Sequence, residues 1–368
     1  MKLSCLQENL SKGLQTIMYS VPAKSSLPIL SNVLIATENG RIKLSSTNLE
    51  TAITTYVGAS VEEEGSTTIP ARLLKDFISN LPAGTINMQV KDEILAINSK
   101  TTKSKFNGSS AKDFPELPSF PKKSQVLEID ATTLNNAVNI VAFAAGTDTS
   151  RPVFTGIYFN YSKGKLTITS TDGFRLSEKI LNMKGNVDDF SVVIPAKTIV
   201  EVAKIFVASQ EPISFVLNQD ENLALFKSED TLIATRILDG QYPDYKKIIP
   251  SEHVVKAIFN SPEFTEAVRL TDIFAKESNN TIKIRFDPEG KIKITSLSEE
   301  TGQHESNLNA EIEGELVEIA FNSKYLLDFL NNIKSEKINF ASNGNVSPCV
   351  FTTEDQKDFI HIVMPMQI

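Results

Sequence analysis

The stretch Gly164–Leu176, GKLTITSTDGFRL, decides the fold of this 368-residue chain. It reads as a turn glycine, a strand with Leu166 and Ile168 on one face, and a polar corner at Ser170–Gly173. Two other stretches share its grammar: Gly40 opens GRIKLSSTNL and Gly290 opens GKIKITSLSE. The three glycines lie 124 and 126 positions apart, an even recurrence that predicts three copies of one fold.

A second landmark keeps the same period. Ile69-Pro70-Ala71-Arg72, Ile194-Pro195-Ala196-Lys197 and Phe321-Asn322-Ser323-Lys324 each open a helical pattern, 125 and 127 positions apart. Apolar residues follow in register: Leu74, Phe77, Ile78 and Leu81; Ile199, Val202, Ala203 and Phe206; Leu326, Phe329, Leu330 and Ile333. Offsets of three, four and seven make one buried helical face. Pro70 and Pro195 suit a first helical turn, where a missing N–H costs nothing. An earlier helix in each copy is read at 6–21, 131–145 and 261–275. Each leads to a strand pair with glycine in the turn: Val33–Thr37 with Ile42–Ser46, Gly156–Phe159 with Leu166–Thr169, and Ile282–Phe286 with Ile292–Thr295. The fold class is α+β, each copy placing two helices on one face of antiparallel sheet. Proline-rich joints at Phe114–Pro118 and Tyr242–Pro250 divide the chain into 1–124, 125–250 and 251–368.

Composition narrows the function. A hydrophobic content of 41% and a charged content of 22% describe an ordinary globular protein. Cys5 and Cys349 have no ligand-like spacing and read as thiols of a reducing compartment. The N-terminus lacks an apolar signal core and no run reaches membrane-span length, so the expectation is a cytoplasmic protein. A net charge of −8 argues against a protein that simply coats nucleic acid, but leaves room for a local basic surface.

Catalytic signals are sparse. His253, His304 and His361 show no metal spacing, and His361, between Ile360 and Ile362, is read on the polar side of a strand. There is no Gly-rich phosphate loop followed by Lys-Ser/Thr and no nucleophile elbow, and no cofactor or metal is expected. Asp172 reads as an Asx-type corner; a catalytic carboxylate there is the alternative. The basic residues say more. Arg72, Lys197 and Lys324 hold one repeat position in the first turn of a helix, where the macrodipole prefers an acid. Three in register point to a shared polyanion, with Lys12, Lys24, Lys75 and Lys204 as additions. The last seven residues, 362–368, are strongly apolar and read as packed rather than frayed, with Met364 and Met366 edging an adaptable apolar surface.

These features together resemble the bacterial DNA polymerase III β subunit, the sliding-clamp family. The resemblance spans the whole chain. It rests on Ser26–Asn32, Ile69–Arg72, Arg151–Phe159, Thr171–Leu176, Asp239–Pro250 and the MPMQI that begins at Met364. It implies three clamp domains per chain and two chains joined head to tail as a homodimeric ring, with sheets outside and helices lining a hole for duplex DNA. It implies a processivity factor without catalysis, loaded by an ATPase, that tethers the polymerase III catalytic subunit and other replication and repair proteins.

The family's partner-peptide pocket carries onto Phe154, Thr171, Gly173, Phe174, Arg175, Leu176, Pro243, Lys247, Ile248, Val346, Ile362, Met364, Pro365 and Met366. The chain has Phe174 where the family often has His, Lys247 where it often has Arg, and Gln367-Ile368 where it often has Arg-Leu, so its rim is less cationic. DNA-facing cations become Lys12, Lys24, Arg72, Lys197 and Lys324. The ring seam becomes Phe106 against Ile273 and Phe274, with Lys103 and Lys105 set against Glu299, Glu300 or Glu305. A hydrolase or transferase centred on Asp172, and a clamp-like variant of the housekeeping protein, stay open as alternatives.

Overall fold

The computed structural model describes residues 1–122, 124–185, 187–298 and 302–367, and the side chains of all of these except 297 and 298. The first copy of the repeat runs β1 (Lys2–Leu6), α1 (Gln7–Ile17), β2 (Asn32–Glu38), β3 (Arg41–Thr47), β4 (Thr51–Glu63), β5 (Ser66–Pro70), α2 (Ala71–Ser79), β6 (Thr85–Lys91), β7 (Ile94–Asn98) and β8 (Lys103–Asn107). The second runs β9 (Leu127–Ile129), α3 (Ala131–Val141), β10 (Gly156–Ser162), β11 (Lys165–Thr171), β12 (Arg175–Asn182), β13 (Phe190–Pro195), α4 (Ala196–Phe206), β14 (Ile213–Asn218), β15 (Leu223–Ser228) and β16 (Thr231–Arg236). The third runs β17 (Val255–Asn260), α5 (Ser261–Ala275), β18 (Thr281–Asp287), β19 (Lys291–Ser298), β20 (Gly302–Gly314), β21 (Val317–Asn322), α6 (Ser323–Asn332), β22 (Lys337–Ser342), β23 (Cys349–Thr353) and β24 (Phe359–Val363). Element for element, the three copies agree.

The turn that opens each recurrent stretch is built as its sequence demands. Gly40, Gly164 and Gly290 have φ of 72°, 75° and 88°, a region that glycine enters without steric cost. Asn39 and Lys163 precede two of them at φ 52° and 50°, the paired positive values of a tight hairpin turn. Most of the apolar helix positions are buried: Leu10, Leu14 and Ile17 on α1, Leu74 and Ile78 on α2, Ile199, Val202, Ala203 and Phe206 on α4, and Leu326, Phe329 and Leu330 on α6. Phe77 is half-buried, and Leu81 and Ile333 lie half-buried just past the ends of α2 and α6. Each buried Leu, Ile, Val or Phe among them contributes about 1.5–3 kcal/mol through burial.

The structure departs from two expectations. Ile69-Pro70, Ile194-Pro195 and Phe321-Asn322 do not open helices; they end β5, β13 and β21. Pro70 is the cap residue before α2, and the helix starts at Ala71. A proline closing a strand stops the ladder and releases the chain into a helix in one step. His361 lies on the core side of β24, fully buried, not on a polar face. Its ring stacks on Phe329 at 4.7 Å with 2° between planes, and its Nδ1 hydrogen-bonds the Ser177 hydroxyl at 2.8 Å.

The chain condenses into two units, Met1–Thr132 with Glu201–Ile237, and Thr133–Val200 with Leu238 onward. The middle repeat is therefore shared between them. The cause is strand pairing across each joint. In the first unit β4, the fourth strand of repeat one, pairs antiparallel with β16, the last strand of repeat two, with Thr55 opposite Thr231 and Thr51 opposite Thr235. In the second unit β12 pairs with β24 in the same way, with Lys179 opposite Phe359 and Arg175 opposite Val363. Each unit thus holds one twelve-stranded sheet. Helix α1 packs on β4 and α2, and α5 packs on β19, β20 and α6. No helix among the described residues is long and apolar enough to cross a membrane.

Burial, and secondarily the Arg175 charge, lowers the His361 pKa to about 3. The unfolded chain protonates near pH 6.5, so stability held by the neutral ring is complete above that pH and declines as pH falls from 6.5 towards 3. His361→Phe keeps the aromatic stack and removes the titration. In urea titrations the stability difference between pH 7 and pH 5 should shrink by about 2 kcal/mol in this variant. An unchanged difference contradicts the burial of a neutral histidine.

Candidate functional site

The second unit builds its site around the corner that joins β11 to β12. Asp172 Oδ1 accepts the N–H groups of Phe174 and Arg175 at 2.9 and 3.0 Å, the Asx turn expected of this residue. Thr171 Oγ1 accepts from the Gly173 N–H at 3.0 Å and donates to the Arg175 carbonyl at 2.6 Å. Gly173 has φ 94°, which turns the chain so that Phe174 stands 60% exposed. The Met364 N–H donates to the Phe174 carbonyl at 2.8 Å and so fixes the segment after β24 beside the corner. The Met366 N–H continues this path to the Ala320 carbonyl at 2.8 Å, beyond Pro365.

Arg175 is buried and structural. Its Nε donates to Asp172 at 3.0 Å and its Nη1 to Asp328 at 2.5 Å, while the guanidinium lies 4.8 Å from the Tyr325 ring centre. A buried guanidinium needs such partners, and this one has them on both sides. The arrangement engages the Asp172 carboxylate with three donors, which favours a turn-forming role over a catalytic one.

The expected pocket residues sort into layers. Leu176 and Ile362 are opposite each other across the β12–β24 pair and are buried in a cluster with Val193, Tyr242, Tyr245 and Val350. Tyr242 stacks on Tyr158 at 4.6 Å, and the Tyr245 hydroxyl donates to buried Glu178. Burial raises the pKa of both phenols, with the Glu178 charge adding to the shift at Tyr245. Phe154, Met364, Pro365 and Met366 are half-buried, and the Phe154 ring borders Gly173. Pro243, Lys247, Ile248 and Val346 are exposed, with Val346 at 68%. Lys247 spends its charge on Asp244 at 3.0 Å. The sequence reading missed Tyr325, which stacks 6.3 Å from Phe174 and covers Arg175. Its only signal is its place next to Lys324 in the repeated helix start.

The five expected cations Lys12, Lys24, Arg72, Lys197 and Lys324 are all exposed, and none has an acidic partner among the described residues. Lys75 and Lys204, in contrast, pair with Asp76 at 3.0 Å and Glu201 at 3.5 Å. All three cations at the repeat position, Arg72, Lys197 and Lys324, are among the uncompensated ones.

Lys103 and Lys105 are exposed on β8, an edge strand that pairs only with β7 among the described residues. Phe106, on the same strand, is buried edge-on against Phe77 at 5.1 Å. Ile273 is 59% exposed on α5, and Phe274 stacks on His304 of β20 at 5.4 Å. Glu305 is held by Lys293 at 3.0 Å, and Glu299, Glu300 and Ile368 lie outside the described residues. Residues Gly302–Leu308 of β20 pair only with β19 among the described residues, which leaves their other edge open.

Comparison with known proteins gives one consistent answer. The descriptions "DNA polymerase III beta subunit, N-terminal domain", "central domain" and "C-terminal domain" match residues 1–118, 128–244 and 246–367. Proteins named beta sliding clamp are similar along their full length: that of Bacillus subtilis is 27% identical and that of a Synechocystis species 30%, each with all of both chains aligned. The crystal structure of the Bacillus subtilis DNA polymerase sliding clamp superposes with a TM-score of 0.95 at 26% identity, covering 100% of this chain and 99% of that one. The Streptococcus pneumoniae DNA polymerase III beta chain gives 0.95 at 27% with both chains fully covered. Three matched domains in order, on a threefold repeat with this strand plan, mean that the chain belongs to the DNA polymerase III beta subunit family, the sliding clamps that act as DNA polymerase processivity factors.

Proposed function

We propose that two copies of this chain close head to tail into a ring around duplex DNA, and that the ring holds polymerase by a peptide contact and performs no chemistry itself. The observation that carries this reading is a strand pairing that occurs twice and has material for a third. Gly58, Asn182 and Asn309 are equivalent, opposite Arg41, Lys165 and Lys291. Counting from them, Thr55, Lys179 and Ser306 are equivalent. Thr55 and Lys179 each pair with the first residue of a last strand, Thr231 and Phe359. The remaining last strand, β8, begins at Lys103. The third pairing then sets Lys103 opposite Ser306 and Lys105 opposite His304, between one protomer and its partner. A head-to-tail contact of this kind forms a closed ring where its rotation completes a circle. Lys103 and Lys105 would sit in the joint, and Ile273 and Phe274 beside it. Phe106 supports it from below, packed on Phe77.

The domains are taken as 1–124, 125–250 and 251–368. Lys12, Lys24, Arg72, Lys197 and Lys324 serve as phosphate contacts without base readout, which permits sliding. Partner peptides take the apolar rim of Phe154, Phe174, Ile248, Val346, Met364, Pro365 and Met366, with Thr171, Gly173 and Arg175 fixing its corner, Leu176 and Ile362 as its floor, and Pro243 and Lys247 as its outer edge. The polymerase catalytic subunit, the loader ATPase and other proteins with such peptides are the proposed partners, in the cytoplasm.

The Thr55–Thr231 hydroxyls approach to 2.8 Å while the neighbouring Tyr56 N–H donates to Asp230. The Thr55 position is therefore a non-hydrogen-bonded pair, where opposed side chains come closest. Lys103→Cys with Ser306→Cys in one chain should give a covalent dimer on mild oxidation, and Lys103→Cys with Gln303→Cys should not. Cys5 and Cys349 do not interfere, since burial pushes both thiols up to about 12. Cross-linking of the mismatched pair alone contradicts this seam. Hydrolase or transferase turnover abolished by Asp172→Asn would return the enzyme reading.

A further inference from the structure

The first unit contains its own version of the peptide corner, and it is hollow. Across the β12–β24 pair, Leu176 faces Ile362; at the equivalent positions of the β4–β16 pair, Ala52 faces Ala234. The joint that follows Phe114-Pro115 carries Leu117 where the joint after Tyr242-Pro243 carries Tyr245, the buried phenol that fills the second unit's cluster. With smaller side chains at these three positions, a groove of about 520 Å³ is present there, lined by Pro115–Pro118, Leu49, Leu223 and Arg236 among others.

The turn over this groove is strained. Leu49 occupies the repeat position of Gly173 and has φ 73°, a conformation that a bulky side chain adopts at a cost and glycine does not. It is nevertheless 50% exposed and lines the groove. The rim is acidic: Glu50, Glu116 and Glu221 line it with no basic partner for their carboxylates among the described residues. The one lining cation, Arg236, donates from Nε to the Leu49 carbonyl at 3.3 Å and so holds the turn in place.

We propose that this groove is a second peptide-docking site, which takes a linear segment with an apolar anchor flanked by basic residues. The anchor enters the hollow over Ala52 and Ala234 against Leu49, and the flanking cations meet the three rim carboxylates. Charge complementarity selects this class of peptide over an acidic one. The proposal uses the peptide-pocket reading only for the repeat equivalence, and its test is independent of that pocket.

The test is fluorescence polarisation of fluorescein-labelled KRLLFKR with the full chain at low salt. Saturable binding is expected, at least tenfold tighter than that of KRGSGKR or EELLFEE. Leu49→Gly should weaken it at least tenfold while raising the melting temperature, because the strain is relieved as the anchor contact is lost. Ala234→Phe, which fills the hollow, should weaken it equally, and Glu50→Lys with Glu221→Lys should shift the preference to EELLFEE. Met364→Ala, which alters the other pocket, should leave it unchanged however that pocket behaves. Equal binding of KRGSGKR, insensitivity to Leu49→Gly, or loss in Met364→Ala overturns the proposal. So does self-association beyond the dimer that Leu49→Gly abolishes, which would assign the groove to a second copy.

Discussion

The constraint on which this structure depends is the antiparallel pairing of the fourth strand of one repeat with the last strand of the next. A repeat alone would leave both strands as bare edges, each a row of unpaired N–H and C=O groups. Joining them satisfies those groups and makes one sheet from two repeats. It also fixes register, because a slip by one residue would turn every side chain to the wrong face. The pairing explains why the middle repeat is divided between the two compact units. It also explains why, among the described residues, part of β20 and all of β8 keep an open edge. Lys103 and Lys105, exposed on β8, are the charged residues expected on an edge that must avoid indiscriminate pairing.

The electrostatics follow the repeat in the same way. A net charge of −8 disfavours tight, indiscriminate binding to nucleic acid. Yet the cations at the starts of α2, α4 and α6 remain exposed and uncompensated, while nearby lysines off the repeat position find acidic partners. The proposed ring, holding DNA by enclosure, would need only weak, wet phosphate contacts, which cations of this kind can supply. Arg175 illustrates the opposite use of charge: buried between Asp172 and Asp328, it holds the corner from which Phe174 projects.

Much of this was legible in the sequence because glycine turns, helix starts and apolar periods each repeat. The hairpins at Gly40, Gly164 and Gly290 and the buried faces of the helices lie where those signals put them. Other elements left no trace. Strand β20, GQHESNLNAEIEG, is exposed along much of its length and shows little apolar alternation for a sequence reading to detect. His361 looked like the polar step of an alternating strand, because periodicity does not register that Phe329 and Ser177 wait for its ring and its nitrogen. Tyr325 and Leu49 matter through contacts and a backbone angle that only the folded chain reveals.

The claim that the third strand pair closes a ring is tested most directly by topology. The protein is assembled on nicked circular duplex DNA with its loader and then passed through a sizing column before and after the circle is cut once. Enclosure predicts co-elution with the circle and release on cutting, at the same salt concentration. Equal retention on circular and cut DNA would mean that the protein grips the duplex and would contradict enclosure.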